Sequence, residues 1–511
     1  MPDGLRLADI LAALSVTTDL AMGQEPEKAI RATVLATEMA RHLHMGEPEV
    51  ADVYYTTLLK HLGCTATMHE EALLFGPDEL GFRAVAERSD ETNLREALGL
   101  LAATGRGMGV RRVAVLARAS TSAGAASRIY RSICEVGARM AERLDLGAGV
   151  ERSLAEMLER WDGKGAPRKL AGEDIAPPVR IAEPATQAVI FHRLGGVDAA
   201  ITMADRRAGG MFDPSAVEAL RAVAPATLAR LDETDPWVAV LEAEPSPVRE
   251  IRPERLERVA EAFADMVDLK STYTLGHSAG VAELASGAAE RLGLEDPTGV
   301  RVAALLHDLG RTAIATGIWE KPGPLSTSDW EQVRLHGYQT ERILARSASL
   351  EPVARIAGMH HERQDGSGYH RGAGAAELPV EARLLAVADA YQAMTQQRPH
   401  RPARPLSEAA DLIIEEVHAG RFDPECARAV LDVAGRTPSR KRGPWPAGLT
   451  DREIEVLRLV SRGRSNKEIA QALVISTRTA EHHVQHIYEK IGSSTRAGAA
   501  MFAMEHGLLR H

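Results

Sequence analysis

Seven side chains able to ligate a metal fall in order between residues 277 and 389: His277, the pair His307 and Asp308, His336, the pair His360 and His361, and Asp389. The groups follow one another at intervals of 24 to 30 residues. That is the length of a helix plus its connections, so separate helices of a bundle can each present one group to a shared interior. Imidazole and carboxylate suit iron, manganese, zinc or nickel, and a carboxylate such as that of Asp308 can bridge two ions. Neighbours on a helix point about 100° apart, so His307 and Asp308 reach one cavity only if it is wide enough for two ions. Any single one of the 18 histidines is more simply a surface or core residue. The sequence ALLHDLG, however, sets a His-Asp pair directly behind an apolar run, where a bare charge is costly to bury without a metal or a partner. His360 and His361 stand just before DGSG, whose Gly366 and Gly368 allow backbone angles and close approaches that other residues resist. The three cysteines, Cys64, Cys134 and Cys426, are far apart and form no C-x-x-C pair, so neither a disulfide frame nor a thiolate zinc site is indicated.

The elements that must hold these groups are helices. Windows such as RPERLERVAEAFADMVDL (252–269) and HSAGVAELASGAAERLGL (277–294) repeat apolar residues every three or four positions, and aromatic residues make up only 4% of the chain. The fold class is mostly α. At 511 residues the length predicts about three domains. Pro-rich stretches without apolar periodicity, EAEPSPVREIRP (242–253) and RTPSRKRGPWP (436–446), place the linkers. Domains at 1–240, 250–435 and 447–511 result. The first two are related by duplication: ERWDGKG (159–165) falls on ERQDGSG (362–368), and LLKHLGCT (58–65) on LLHDLGRT (305–312), in the same order. The first copy carries extra residues between the two blocks, around SDETNLREALGLLAATGRGMGVRR.

Residues 255–435 resemble the HD-GYP family of metal-dependent phosphohydrolases. The segments that carry the likeness are His277-Ser278, HDLGR (307–311), His336, HHERQDGSGYH (360–370) and ADAYQAMTQQRPHR (388–401). The resemblance implies two tandem HD-like helical domains and hydrolysis of a cyclic dinucleotide such as cyclic di-GMP. It makes His277, His307, Asp308, His336, His360, His361 and Asp389 the ligands of two divalent ions, iron or manganese, with Asp308 as bridge. Asp308 and Arg311 become catalytic, and Arg311, Arg398 and Arg401 become phosphate-binding. The chain departs from the family pattern at four places: Gly-Tyr-His replaces Gly-Tyr-Pro, Arg311 replaces a Lys, Gln392 an Asp, and Tyr273 stands where three-metal members carry a Glu. The last change favours two ions over three.

In the first copy His307 and Asp308 become Lys60 and His61, His360 and His361 become Met157 and Leu158, and Asp389 becomes Thr186. Apolar side chains do not hold a cation, so this half reads as a degenerate HD-like domain without a metal site. It serves either as a packing or dimerisation partner or as a ligand sensor with a vestigial cleft. DGKGAP (162–167) is not a triphosphate loop.

The formal net charge of −10 is unevenly spread. From Arg436 onward 13 basic residues face 7 acidic ones, against 48 and 64 before it, so a basic end follows an acidic body. Residues 447–511 show four short helical patterns, with SNKE (465–468) as a capping box and Ser476 placed to cap the next helix. The segment resembles the LuxR-type helix-turn-helix. That likeness implies Lys467, Thr477, Arg478 and Thr479 at phosphates, Glu481, His482 and Gln485 at bases, and homodimers on paired half-sites. No stretch is long and apolar enough for a membrane helix and no signal pattern opens the chain, so a cytoplasmic protein without membrane partner is expected. The combined reading is a phosphodiesterase coupled to a DNA-binding transcriptional regulator. The alternative is a ligand-sensing regulator whose metal site binds nucleotide without turning it over.

Overall fold

The computed structural model describes residues 5–105, 124–435 and 445–509, together with Gly109, Arg112, Val113 and Val115. Helices dominate throughout. The single sheet among the described residues is a two-stranded antiparallel ribbon pairing Leu5–Arg6 with Glu250–Ile251. Part of the expected linker at 242–253 is therefore ordered by backbone pairing. The expected linker at 436–446 lies largely outside the described residues. No described helix is long and apolar enough to cross a membrane. The chain divides into two compact units, 2–252 and 253–511.

In the first unit, helices Lys28–His42, Glu47–Leu58 and Pro177–Arg207 pack on one another, and helix Ala125–Arg143 lies against the 3₁₀ turn Cys64–Thr67. In the second, helices His277–Leu292, Pro297–Leu306 and Val380–Thr395 form the bundle centre, with helix Thr327–Leu344 against the 3₁₀ turn Leu309–Ala313. Local chemistry sets the starts of these helices. Asp296 caps Pro297–Leu306 by accepting from the Gly299 amide, and Ser326 with Asp329 forms a capping box for Thr327–Leu344.

The same bonds recur in both units. Glu159 accepts from the amides of Arg168 and Leu170, and Glu362 from those of Arg371 and Ala373. A side-chain carbon at Gly310 would meet the His336 carbonyl oxygen at 2.1 Å, and one at Gly63 the Ile133 oxygen at 2.0 Å. Each glycine lets the turn close onto the neighbouring helix. Asp268 accepts from the Ser278 amide as Asp19 accepts from that of Ala29, ten residues further along in both cases. These contacts pair Lys28 with His277 and Ile133 with His336, two equivalences that sequence alignment alone had not supplied.

The C-terminal module is four helices, Asp451–Ser461, Asn466–Leu473, Thr477–Ile491 and Arg496–Glu505, around a core that includes Leu457, Ile469, Val484, Ile487 and Phe502. Ser465 with Glu468 closes a capping box, and Ser476 accepts from the Thr479 amide.

Candidate functional site

The seven candidate ligands sit on five pieces of scaffold. His277 is the first residue of its helix, entered through Gly276 at φ 71°. His307 and Asp308 occupy the turn after Pro297–Leu306, His336 lies within Thr327–Leu344, His360 and His361 follow Glu351–Ala357, and Asp389 lies within Val380–Thr395. The structure brings all seven together. Their donor atoms form three overlapping groups, each within 4.8 Å: His336, His360 and His361; His277, His307 and Asp389; His307, Asp308 and His360. All but His361 are buried.

The imidazoles are oriented for cation binding. His307 Nδ1 contacts the Ala304 carbonyl at 2.7 Å, His360 Nδ1 the Ala357 carbonyl at 2.7 Å, and His336 Nδ1 the Val333 carbonyl. A carbonyl only accepts, so each Nδ1 carries a proton and each ring turns its Nε2, the atom that ligates once unprotonated, inward. His336 Nε2 and His360 Nε2 stand 3.0 Å apart, and His307 Nε2 has no hydrogen-bond partner among the described residues. Facing lone pairs beside two carboxylates, in a buried pocket, is a donor set that fits metal ions. Asp308 stands between two imidazole pairs. Its Oδ2 is 3.3 Å from His307 Nε2 and 3.7 Å from that of His277, while its Oδ1 is 3.6 Å from His336 Nε2 and 3.7 Å from that of His360.

Burial lowers the pKa of His360 to about 3, and His307 and His336 add to the effect. Burial also works against the proton on His307, but the Asp308 and Asp389 carboxylates outweigh it and raise that ring to about 9. Asp308 and Asp389 stay ionised despite burial. Arg311 and His307 hold the first well below the usual carboxylate range, and His277 and His361 the second.

Two of the three expected phosphate-binding arginines border the cluster. Arg311 contacts Asp308 at 2.5 Å and lies 4.2 Å over the Trp319 ring. Arg398 is placed 3.5 Å from His277 Nδ1, and burial, reinforced by the Arg311 charge, lowers it to about 10. Arg401 is not brought there: its guanidinium donates to the carbonyls of Ala393, Met394, Gln396 and Pro402 and braces the loop. Sequence reasoning missed Gln396, whose Oε1 meets His277 Nδ1 at 2.9 Å, and Thr340, which donates to the His307 carbonyl and accepts from the Gly310 amide. Neither residue has a motif of its own; only its neighbours point to it. Gln392, at the position of a family Asp, packs on Gly280.

In the C-terminal module Lys467, Thr477, Arg478, Thr479, Glu481, His482 and Gln485 are all exposed. The last six lie on helix Thr477–Ile491, whose opposite face buries Ala480, Val484 and Ile487. Gln485 donates to Glu489 at 3.0 Å. The turn at Gly463 rests against the second unit's hydrolase-like half, where an added side-chain carbon would meet the Thr272 methyl at 3.5 Å.

Comparison with known proteins places these features. An HD domain family model matches residues 88–205 and again 261–426, and a model described as bacterial regulatory proteins, luxR family, matches 447–503. The chain is 31% identical over 440 residues, 84% of its own length and 95% of the relative's, to 3′3′-cGAMP-specific phosphodiesterase 3 of Vibrio cholerae. A cyclic di-GMP phosphodiesterase of Thermotoga maritima is 37% identical over 182 residues, 35% of this chain and 49% of that one. The crystal structure of the cyclic GMP-AMP-specific phosphodiesterase V-cGAP3 of V. cholerae superposes with a TM-score of 0.60 at 27% identity, covering 85% of this chain and 99% of that one.

Proposed function

The chain belongs to the HD domain family as a metal-dependent phosphodiesterase with a LuxR-family module at its C-terminus, and on that premise we propose that it hydrolyses a cyclic dinucleotide and couples that site to DNA binding. The observation that carries the reading is the convergence of four imidazole Nε2 atoms on the two oxygens of the Asp308 carboxylate. His277, His307, Asp308, His336, His360, His361 and Asp389 would hold two divalent ions, iron or manganese. Bound there, the ions supply Lewis acidity and a water that ionises near neutral pH. The protein's own groups do the rest. Arg311 and Arg398 hold and neutralise the non-bridging phosphate oxygens, with Trp319 stacking to fix the Arg311 head. Arg401 keeps the loop that carries Arg398 in shape through its four carbonyl contacts.

The relative matched over 95% of its length is named for 3′3′-cGAMP and shorter matches for cyclic di-GMP, which makes these two the substrates of choice. On the C-terminal module Lys467, Thr477, Arg478 and Thr479 serve phosphates, and Glu481, His482 and Gln485 serve base edges, in a homodimer reading paired half-sites. The contact at Thr272, beside the Tyr273 carbonyl that Arg398 reaches, offers a direct route from the phosphate site to the DNA-binding module.

The test is chromatography of both cyclic dinucleotides after incubation with the full chain loaded with Mn²⁺ or Fe²⁺, alongside Asp308→Ala. Turnover of at least one by wild type alone is expected. Ligand-dependent DNA binding without any product would instead establish a non-hydrolysing sensor.

A further inference from the structure

The first unit holds a cavity of about 460 Å³, within the range of small-molecule sites. Its position is informative. The counterparts of His307, Asp308, His336, His360 and His361 are Lys60, His61, Ile133, Met157 and Leu158, and all five line it. The cavity thus occupies, in the first copy, the place that the metal cluster occupies in the second.

Its chemistry has been inverted. Three imidazole positions have become apolar, and Phe75 and Phe82, stacked at 4.2 Å, extend the apolar wall. Of the four Lys and Arg side chains that line it, three are matched at close range, and the fourth, Lys164, is exposed at 3.5 Å from Asp162. Lys60 meets Glu183 at 2.6 Å, Arg83 meets Glu71 at 2.7 Å, and Arg160 meets Asp90 at 2.8 Å and Asp162 at 3.1 Å. An incoming phosphate would find no uncommitted counter-charge among these three. Glu87 differs. Its Oε1 takes Lys28 at 2.6 Å, while its Oε2, buried, has no hydrogen-bond partner among the described residues. At this carboxylate oxygen the wall lacks a donor; the other lining atom in that condition, His61 Nε2, is turned to Glu87 Oε1 at 2.6 Å.

We infer that this cavity is a second ligand site, for a small, largely apolar molecule that carries an N–H or O–H donor and no phosphate or other anionic group. The inference does not rest on the phosphodiesterase reading, because none of its residues belongs to the metal cluster.

The probe is N-phenyl-1-naphthylamine, neutral and apolar with one N–H, whose fluorescence rises on burial. Its sulfonated analogue 1-anilinonaphthalene-8-sulfonate provides the anionic contrast. Two variants of the full chain obstruct the cavity: Ala86→Trp from its wall, and Ala126→Trp from an exposed position on the helix bordering it. Wild type is expected to bind one equivalent of the neutral dye saturably, with at least tenfold weaker binding of the sulfonate. Each variant is expected to lower neutral-dye affinity at least tenfold with an unchanged circular dichroism spectrum, and Asp308→Ala to leave it untouched. Equal affinity for both dyes, or unaltered neutral-dye binding by both well-folded tryptophan variants, would overturn the assignment.

Discussion

Replacing Asp308 by Asn changes one heavy atom and tests the proposed bridging role. The carboxylate has two equivalent oxygens, one facing His307 and His277 at 3.3 and 3.7 Å and the other facing His336 and His360 at 3.6 and 3.7 Å. An amide keeps one ligating oxygen and presents an NH₂ to the other imidazole pair, which cannot ligate. It also removes a negative charge from a buried donor set. If the site holds the two ions proposed, the variant should hold one or fewer. Lewis-acid stabilisation of a phosphoryl transition state amounts to several kcal/mol. Taking about 4 kcal/mol at ~1.36 kcal/mol per decade, kcat/KM falls on the order of 10³-fold. Metal content is read by plasma mass spectrometry on desalted protein, and turnover with each cyclic dinucleotide under saturating Mn²⁺. The variant should fold, since the Nδ1-to-carbonyl contacts that orient the imidazoles do not involve Asp308. An Asp308→Asn protein with two ions per chain and activity within tenfold of wild type would refute the bridging argument.

The first copy makes a stability prediction. Lys28→Met leaves the Glu87 and Asp19 carboxylates buried without the ammonium that meets them, and should cost about 3–5 kcal/mol in urea titration. Adding Glu87→Gln should recover most of that, and a single-variant cost below about 1 kcal/mol would count against a charge network essential to the core. Asp268, driven up to about 8 by burial, holds a proton when folded that the unfolded chain releases near 3.8. Its contribution to stability is thus full below that value and lost as pH climbs through about 8. Asp268→Asn should flatten this part of the pH dependence and match or exceed wild type in urea midpoint at pH 9; a steeper decline would exclude the protonated acid. In the DNA-binding module, Arg478→Ala should weaken binding on all sequences and reduce the salt slope by about 1, while Gln485→Ala should alter base preference at a nearly unchanged slope. Fluorescence anisotropy across a salt series distinguishes the two.

What could be read from the sequence depended on whether a residue's role was local. The convergence of the seven candidate ligands and the duplicated D-G-x-G block were legible because spacing and residue type carry them. The pairing of Lys28 with His277 was not. The helices are Ala-rich and divergent there, and the link is a carboxylate-to-amide bond ten residues on, visible only once both turns are built. Arg401 shows a second limit. A basic residue after the last Asp reads alike whether it faces phosphate or carbonyls, and the loop's own fold decided for carbonyls. The cavity shows a third: an empty space belongs to no residue, so only packed helices reveal it.

The two copies also explain how a metal site can disappear without taking the fold with it. The bonds that hold each scaffold, Glu159 and Glu362 on their loop amides and Gly63 and Gly310 against the neighbouring helix, involve no ligand atom. The ligand set does carry charge, and that charge must be balanced in the interior. The second copy buries Asp308 and Asp389 among imidazoles with Arg311 on one of them, and the proposed ions would add to that balance. The first copy supplies its own: Lys28 meets Glu87 at 2.6 Å and Asp19 at 3.7 Å, and Lys60 meets Glu183 at 2.6 Å. With ammonium groups fixed to the chain, the core carboxylates are met without a metal, and the apolar Ile133, Met157 and Leu158 line the chamber at the positions of three imidazoles. On the proposed function and the inferred pocket, loss of a metal site and gain of a differently lined cavity would be a single physical change, the exchange of a bound cation for a covalently attached one.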